Sequence, residues 1–225
     1  MRIGFVVAFE AEIGQLSEHG EIETVCGIRH IKRQFGKNEA VIALSGIGKA
    51  NAAACTQVLI SVLGCEAILN IGLAGNTGSI PLGGAVVASS ATYHDLIPVD
   101  FVSEDSPWTS VFTPDERMNT VARQILDELG TVHADGIVAS GDQFIDDKET
   151  KNSIVERTGC SCVEMEGGAI AHIAMKNETP FCIVKIISDD ADDDAGDQFH
   201  ETVSISDYLK TSVGFITRFA ETLAF

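Results

Sequence analysis

The chain has 225 residues, 45% of them hydrophobic, and a formal net charge of −18. That length fits one large α/β domain, and the acidic balance argues against nucleic acid, whose affinity rests on clustered Lys and Arg. No apolar run approaches membrane-spanning length, so no membrane partner is expected.

The opening run, residues 3–8, is apolar and meets Glu10 and Glu12 at once. It is short and lacks a cleavage region, so it reads as a buried first strand instead of a signal peptide, and a cytoplasmic location is expected. Two short strands follow at 22–26 and 29–35 around a glycine-containing turn, then a buried strand at 40–44. Ser45-Gly46-Ile47-Gly48-Lys49 leads into a helix over 49–63, and 67–72 is again an apolar strand, followed by Gly72-Leu73-Ala74-Gly75. Further strands are expected at 84–90, 136–140 and 181–187. Helices are expected at 114–129, 166–176 and 205–223, the first with Thr113 as N-cap, Pro114 at its first position and Glu116 in its first turn. Alternating strands and helices predict a single α/β domain over residues 1–225, with a mixed, mostly parallel central sheet flanked by helices.

Such sheets carry their chemistry at the C-terminal ends of the strands. Small or acidic residues recur there: Glu12, Ser45–Lys49, Gly72–Gly75, Ser140-Gly141-Asp142-Gln143-Phe144-Ile145, Glu164-Met165-Glu166 and Ser188-Asp189. The Glu164/Glu166 pair is the most informative. Carboxylates are costly to bury without partners, and a ribose diol is a ligand that would satisfy them. The alternative is that both merely cap the helix that follows, where the dipole favours negative charge.

Other motifs fail on their chemistry. Gly46-Ile47-Gly48-Lys49 lacks the glycine and hydroxyl residue of a P-loop, because Ala43 and Ala50 stand at those positions, and Gly72–Gly78 is not a dinucleotide fingerprint. Asp190, Asp192, Asp194 and Glu201 fall at calcium-loop positions, but Ala195 replaces the required glycine and Asp197 an aliphatic residue. The stretch 190–201 therefore reads as a solvated acidic loop, and no metal is expected. His94 and His172 have no nucleophile paired with them by motif and read as structural. The six cysteines show no Cys-x-x-Cys spacing and read as buried free thiols.

Taken in order, Phe9-Glu10-Ala11-Glu12, Ser45–Lys49, Ser140–Ile145, Val163-Glu164-Met165-Glu166 with Ala169-Ile170-Ala171-His172, and Ile187-Ser188-Asp189 resemble bacterial 5′-methylthioadenosine/S-adenosylhomocysteine nucleosidases of the purine nucleoside phosphorylase-like superfamily. Tyr93-His94-Asp95 also fits, and the resemblance spans essentially the whole chain. It implies a cofactor-independent hydrolase that releases adenine from 5′-methylthioadenosine and S-adenosylhomocysteine, in methionine salvage and the activated methyl cycle. By position, Glu12 would activate water and Asp189, held by Ser188, would protonate N7. Glu166 would bind the ribose hydroxyls, with Glu164 and Met165 lining the sugar. Phe144 would lie against adenine, the Ile145 backbone would bond its Watson–Crick edge, and Ile47 would join the substrate-binding set.

The resemblance also implies a homodimer whose partner chain closes the pocket for the 5′ substituent. The loop carrying Phe101, Trp108 and Phe112 is the expected contact. This sequence departs from the family pattern at Leu73, where a hydroxyl residue is commoner, at Lys185, where Arg is common, and in the acidic stretch 190–201. A phosphorylase of the same fold is the rival enzyme, with only Lys49 and Lys185 available to hold phosphate. A non-catalytic nucleoside- or calcium-binding module is the rival outside enzymes.

Overall fold

The computed structural model describes residues 1–9, 22–203 and 206–224. Nine strands among these residues form one mixed sheet. They are β1 (Arg2–Val7), β2 (Glu23–Val25), β3 (Ile28–Phe35), β4 (Asn38–Leu44), β5 (Ala67–Asn76), β6 (Ala85–Tyr93), β7 (His133–Ser140), β8 (Cys162–Glu164) and β9 (Phe181–Asp189). The order is β2-β3-β4-β1-β5-β8-β7-β6-β9, and β9 also pairs with β5. The second half of the sheet therefore closes on itself, whereas β1 to β4 extend it as an open wing. Strand β5 makes this possible. Its first half pairs with β1 and its last two residues with β8, while β9 runs along its other edge.

The helices are α1 (Lys49–Ser61), α2 (Glu116–Leu129), α3 (Lys148–Thr158), α4 (Gly167–Lys176), α5 (Ala195–Val203) and α6 (Ser206–Thr222). Period-two alternation divides the core between the two faces of the sheet. On one face Ile3, Phe5, Val7, Leu69 and Ile186 meet Met118 and Leu126 of α2 and Phe215 and Phe219 of α6. On the other Val6, Val41, Ile68 and Val138 meet Leu59 of α1 and Ile170 of α4. Each such fully buried side chain contributes about 1.5–3 kcal/mol relative to exposure. Among the described residues no helix is long and apolar enough to cross a membrane.

Several boundaries differ from the sequence reading, each for a physical reason. Helix α2 starts at Glu116, not at Pro114, because the Asp115 carboxylate is the cap and accepts from Arg117 N (2.9 Å) and Met118 N (3.2 Å). Gly72–Gly75 is not a turn after a strand but the second half of β5. Its backbone is paired on the β9 side, with a register shift between Ala74 and Gly75. Helix α3 was not expected. It is polar, buries Ile154 alone, and begins at Asp147, whose side chain accepts from Thr150 N. The acidic stretch 190–201 is not a solvated loop throughout, since α5 begins at Ala195. The β2–β3 turn is a two-residue hairpin with positive φ at both Cys26 and Gly27. All six cysteines are free, with Cys26 exposed and the other five buried.

Candidate active site

The strand ends converge on a cavity of about 380 Å³, within the range of small-molecule sites. Its lining joins Phe9 after β1, Ile47 before α1, Leu73 to Gly75 of β5, Gln143 to Ile145 after β7, and Val163 to Glu166 around the β8–α4 junction. Ser188 and Asp189 at the end of β9 and Phe199 of α5 complete it. The structure thus brings together Ile47, Phe144, Ile145, Glu164, Met165, Glu166, Ser188 and Asp189, all singled out in the sequence. Glu12 lies outside the described residues.

Asp189 is 2% exposed. Its Oδ2 accepts from Ser188 Oγ (2.7 Å) and its Oδ1 from Ala191 N (2.9 Å). Burial pushes its pKa above the ordinary carboxyl value. The nearby Asp190 and Asp192 push the same way, against the two hydrogen bonds. The carboxyl therefore keeps its proton to higher pH than an exposed aspartate does.

The Glu164/Glu166 pair divides its labour. Glu164 does cap the helix: its Oε2 accepts from Glu166 N (3.0 Å) and Gly167 N (2.7 Å), and its Oε1 from Ser140 Oγ. Lys185 Nζ lies 2.6 Å from the same Oε2. Burial opposes ionisation of Glu164, but Lys185, Ser140 and the helix N-terminus outweigh it and hold the carboxyl below its ordinary range. Glu166 makes no side-chain cap bond. Its Oε1 accepts from Gly48 N (2.9 Å), which ties it to the loop before α1.

A tie between loops joins the start of α1 to the segments after β6 and β7. Lys49 Nζ is 2.6 Å from both oxygens of Asp95, and Asp95 Oδ2 accepts from Asp142 N (2.8 Å). Asp142 Oδ1 in turn accepts from Lys49 N (2.8 Å). Tyr93-His94-Asp95 is thereby explained as a structural segment. The buried His94 ring packs against Gly141, where a Cβ would fall 2.3 Å from it. His172 shares a hydrogen bond with Tyr93 Oη (3.2 Å) and stacks on Phe112. Burial lowers the pKa of both imidazoles.

Phe199 is the site residue that sequence reasoning missed. Its ring centroid lies 5.7 Å from that of Phe144 and 6.4 Å from that of Phe9, so three aromatics from distant segments cover the cavity. The signal lay in a lone aromatic within an acidic run. Among the described residues the lining holds no Lys or Arg, and no cluster of three or more His, Cys, Asp or Glu is placed to hold a metal ion. Of the expected contact loop, Phe101 and Trp108 are exposed but Phe112 is fully buried, bonded through its backbone to Ala91, and so is not a surface residue.

The sequence profile of the phosphorylase superfamily matches residues 2–220. The 5′-methylthioadenosine/S-adenosylhomocysteine nucleosidase of Shewanella pealeana is 32% identical, over 90% of this chain and 92% of its own length. The aminodeoxyfutalosine nucleosidase of Helicobacter pylori is 29% identical over 99% of both chains. Among solved structures, the S-adenosylhomocysteine nucleosidase of Streptococcus pyogenes in complex with 5-methylthiotubericidin superposes with a TM-score of 0.89. That match has 28% identity and covers 100% of this chain and 98% of the other.

Proposed function

The chain belongs to the phosphorylase superfamily and, within it, to the 5′-methylthioadenosine/S-adenosylhomocysteine nucleosidases, and on that premise we propose that it hydrolyses the N-glycosidic bond of those two nucleosides. The products are adenine and the 5-thio-ribose, in methionine salvage and the activated methyl cycle. One observation carries the reading. A single cavity joins a buried carboxyl whose pKa is raised, the Glu164/Glu166 pair, and a lining without Lys or Arg among the described residues.

Breaking the bond builds positive charge on the ribose while adenine leaves with the bonding pair. Adenine is a poor anion, so it needs a proton at N7, and Asp189 supplies it, with Ser188 fixing the carboxyl. Glu12 takes the proton from water that attacks the anomeric carbon on the opposite face. Glu166 accepts from the ribose hydroxyls and places negative potential beside the forming oxocarbenium, an effect that strengthens in the transition state. Phe144 stacks on the base, and the Ile145 carbonyl and N–H pair with the 6-amino group and N1. A 6-oxopurine would set two acceptors face to face, and hydrogen-bonding sites reject such pairs strongly.

The phosphorylase alternative needs a cation for phosphate. Its two candidates are otherwise engaged, Lys49 with Asp95 and Lys185 with Glu164. Adenine release measured with and without phosphate tests the assignment. We expect equal rates and free 5-thio-ribose, and strict phosphate dependence with a ribose-1-phosphate product refutes it. A panel of methylthioadenosine, S-adenosylhomocysteine, 5′-deoxyadenosine and aminodeoxyfutalosine then ranks the 5′ groups. Cleavage of the two thioethers is expected from the apolar residues Phe9, Ile47 and Phe199 in the lining.

The working form is a cytoplasmic homodimer. Ile97, Phe101, Trp108 and Val111 support it, since each is more than half exposed and all belong to one segment. Contiguous apolar exposure of this kind marks an association surface.

A further inference from the structure

The turn that follows Asp189 is held in a conformation it would not adopt alone. Ala191 has φ of +51°, in the left-handed region that a non-glycine residue enters at a cost. It is also pressed against β5, where a Cβ added to Gly75 would lie 2.8 Å from both the Ala191 Cβ and Asp189 Oδ1. Because Ala191 N donates to Asp189 Oδ1, the carboxyl is aimed only while this turn keeps its shape.

What holds the turn is Asp190. Its carbonyl accepts from Lys151 Nζ of α3, and its carboxylate accepts from Asn76 Nδ2 at 3.4 Å. Gln198 of α5 grips it twice: Asp190 N donates to Gln198 Oε1 (2.8 Å), and Gln198 Nε2 donates to Asp190 Oδ2 (3.2 Å). The next residue along α5 is Phe199, whose ring packs with Phe9 and Phe144 over the cavity. Successive helical residues point about 100° apart, so one turn of α5 meets both the turn after Asp189 and the cavity. Moving Phe199 off the cavity therefore pulls Gln198 from Asp190.

We propose that Gln198 and Asp190 are positioning residues that join closure of α5 over the substrate to the seating of the Asp189 carboxyl. The acid is then aimed at N7 only when the cavity is covered and water is excluded from the leaving base. This inference rests on the assignment of Asp189 as the acid.

The test is steady-state adenine release from methylthioadenosine. Gln198→Leu removes both bonds from α5. It is expected to lower kcat by about tenfold or more with little change in KM, since an interaction lost only in the reacting complex appears in kcat. Asp190→Val removes the acceptor for Gln198 Nε2 but leaves Asp190 N–H on Gln198 Oε1, so it should lower kcat in the same sense and by no more than Gln198→Leu. Asp190→Asn, whose amide oxygen can still accept from Gln198 Nε2, retains most of the turnover. The double variant Gln198→Leu/Asp190→Val should be no slower than Gln198→Leu alone, because Gln198→Leu already removes both bonds between α5 and Asp190.

Wild-type kcat in Gln198→Leu, a change confined to KM, or an Asp190→Asn as slow as Asp190→Val each overturns the proposal. Thermal melts accompany every variant. If Gln198→Leu does not fold, the Asn against Val comparison at Asp190 decides alone. Asp189→Asn separates the two levels. Normal turnover there refutes the assignment of the acid, whereas a dead Asp189→Asn beside a normal Gln198→Leu refutes only the coupling.

Discussion

The ammonium of Lys185 lies 2.6 Å from Glu164 Oε2 and 3.9 Å from Glu166 Oε2, with its side chain 1% exposed. One buried cation thus stands beneath both carboxylates of the β8–α4 junction. The planar fork of an arginine would grip a carboxylate in a bidentate way; an ammonium acts as a point charge. Here Ser140 and the α4 backbone supply the remaining bonds to Glu164.

Lys185→Met should therefore be costly. It leaves Glu164 buried without a counter-charge, a change that costs about 3–5 kcal/mol when one partner of a buried pair is removed. Urea unfolding measures it, and the sign against pH is a second check. In the wild type the Glu164 pKa is depressed by folding, so its stabilisation is complete above the ordinary carboxyl value and is lost as pH falls through the lower folded value. Without Lys185, burial raises that pKa instead, and stability is lost as pH rises. An unfolding midpoint that stays at the wild-type value across pH would show that Lys185 is not the group holding Glu164 ionised.

Asp189 predicts the alkaline side of the rate profile. Its folded pKa is raised, so the protonated form that the proposed mechanism uses persists above the ordinary aspartate value of about 3.9 and is lost as pH rises through the folded one. Asp189→Asn still bonds N7 but has no acidic proton to give. It should lower kcat by about 10²–10⁴-fold, the usual contribution of a positioned acid. The descending limb should vanish with it. A limb that survives in Asp189→Asn belongs to another group.

Glu12→Gln isolates the other half of the chemistry. In the proposed mechanism it removes the base but none of the adenine contacts, so turnover should be lost while adenine-like inhibitors still bind tightly. Isothermal titration alongside the rate assay reads both. Loss of inhibitor binding in step with turnover would mean that Glu12 holds the ligand instead of activating water.

Trp108→Ala and Phe101→Ala address the second subunit. Both side chains are exposed in the single chain, 69% and 63% respectively. If each anchors the partner, truncation weakens association by on the order of 2 kcal/mol and raises KM for methylthioadenosine together with it. Sedimentation against concentration provides the readout. A monomer with unchanged KM would separate the apolar surface from the site.

The core strands were legible because a strand buried on both faces is a continuous apolar run, as in Val41-Ile42-Ala43 or Ile183-Val184. The strand ends were legible too, since a carboxylate at the end of such a run needs a partner, whether the α4 N-terminus and Lys185 found for Glu164 or a ligand. The second half of β5 was not. Gly72 and Gly75 look like turn residues, and only the strands bonded alongside reveal that small residues suit a strand pressed against Ala191. Asp115 and Thr113 are both competent caps, and sequence alone offers no geometry to choose between them. Helices α3 and α5 were hidden by the polarity of their sequences: α3 buries Ile154 alone, and side-chain bonds such as Asp147–Thr150 and Asp190–Gln198 help to fix them.

Strand β5 is buried along all ten residues and is bonded to β1, β8 and β9. Its amides can exchange with solvent only when the sheet itself comes apart. Helix α5, across the cavity, meets chiefly β9 and α6 and is expected to open before the sheet does. The cavity therefore has one wall that melts last and one that melts early. A tight inhibitor should leave deuterium uptake along β5 almost unchanged and slow it at α5, so the energy for ordering the site is drawn from the ligand's contacts with the aromatic side.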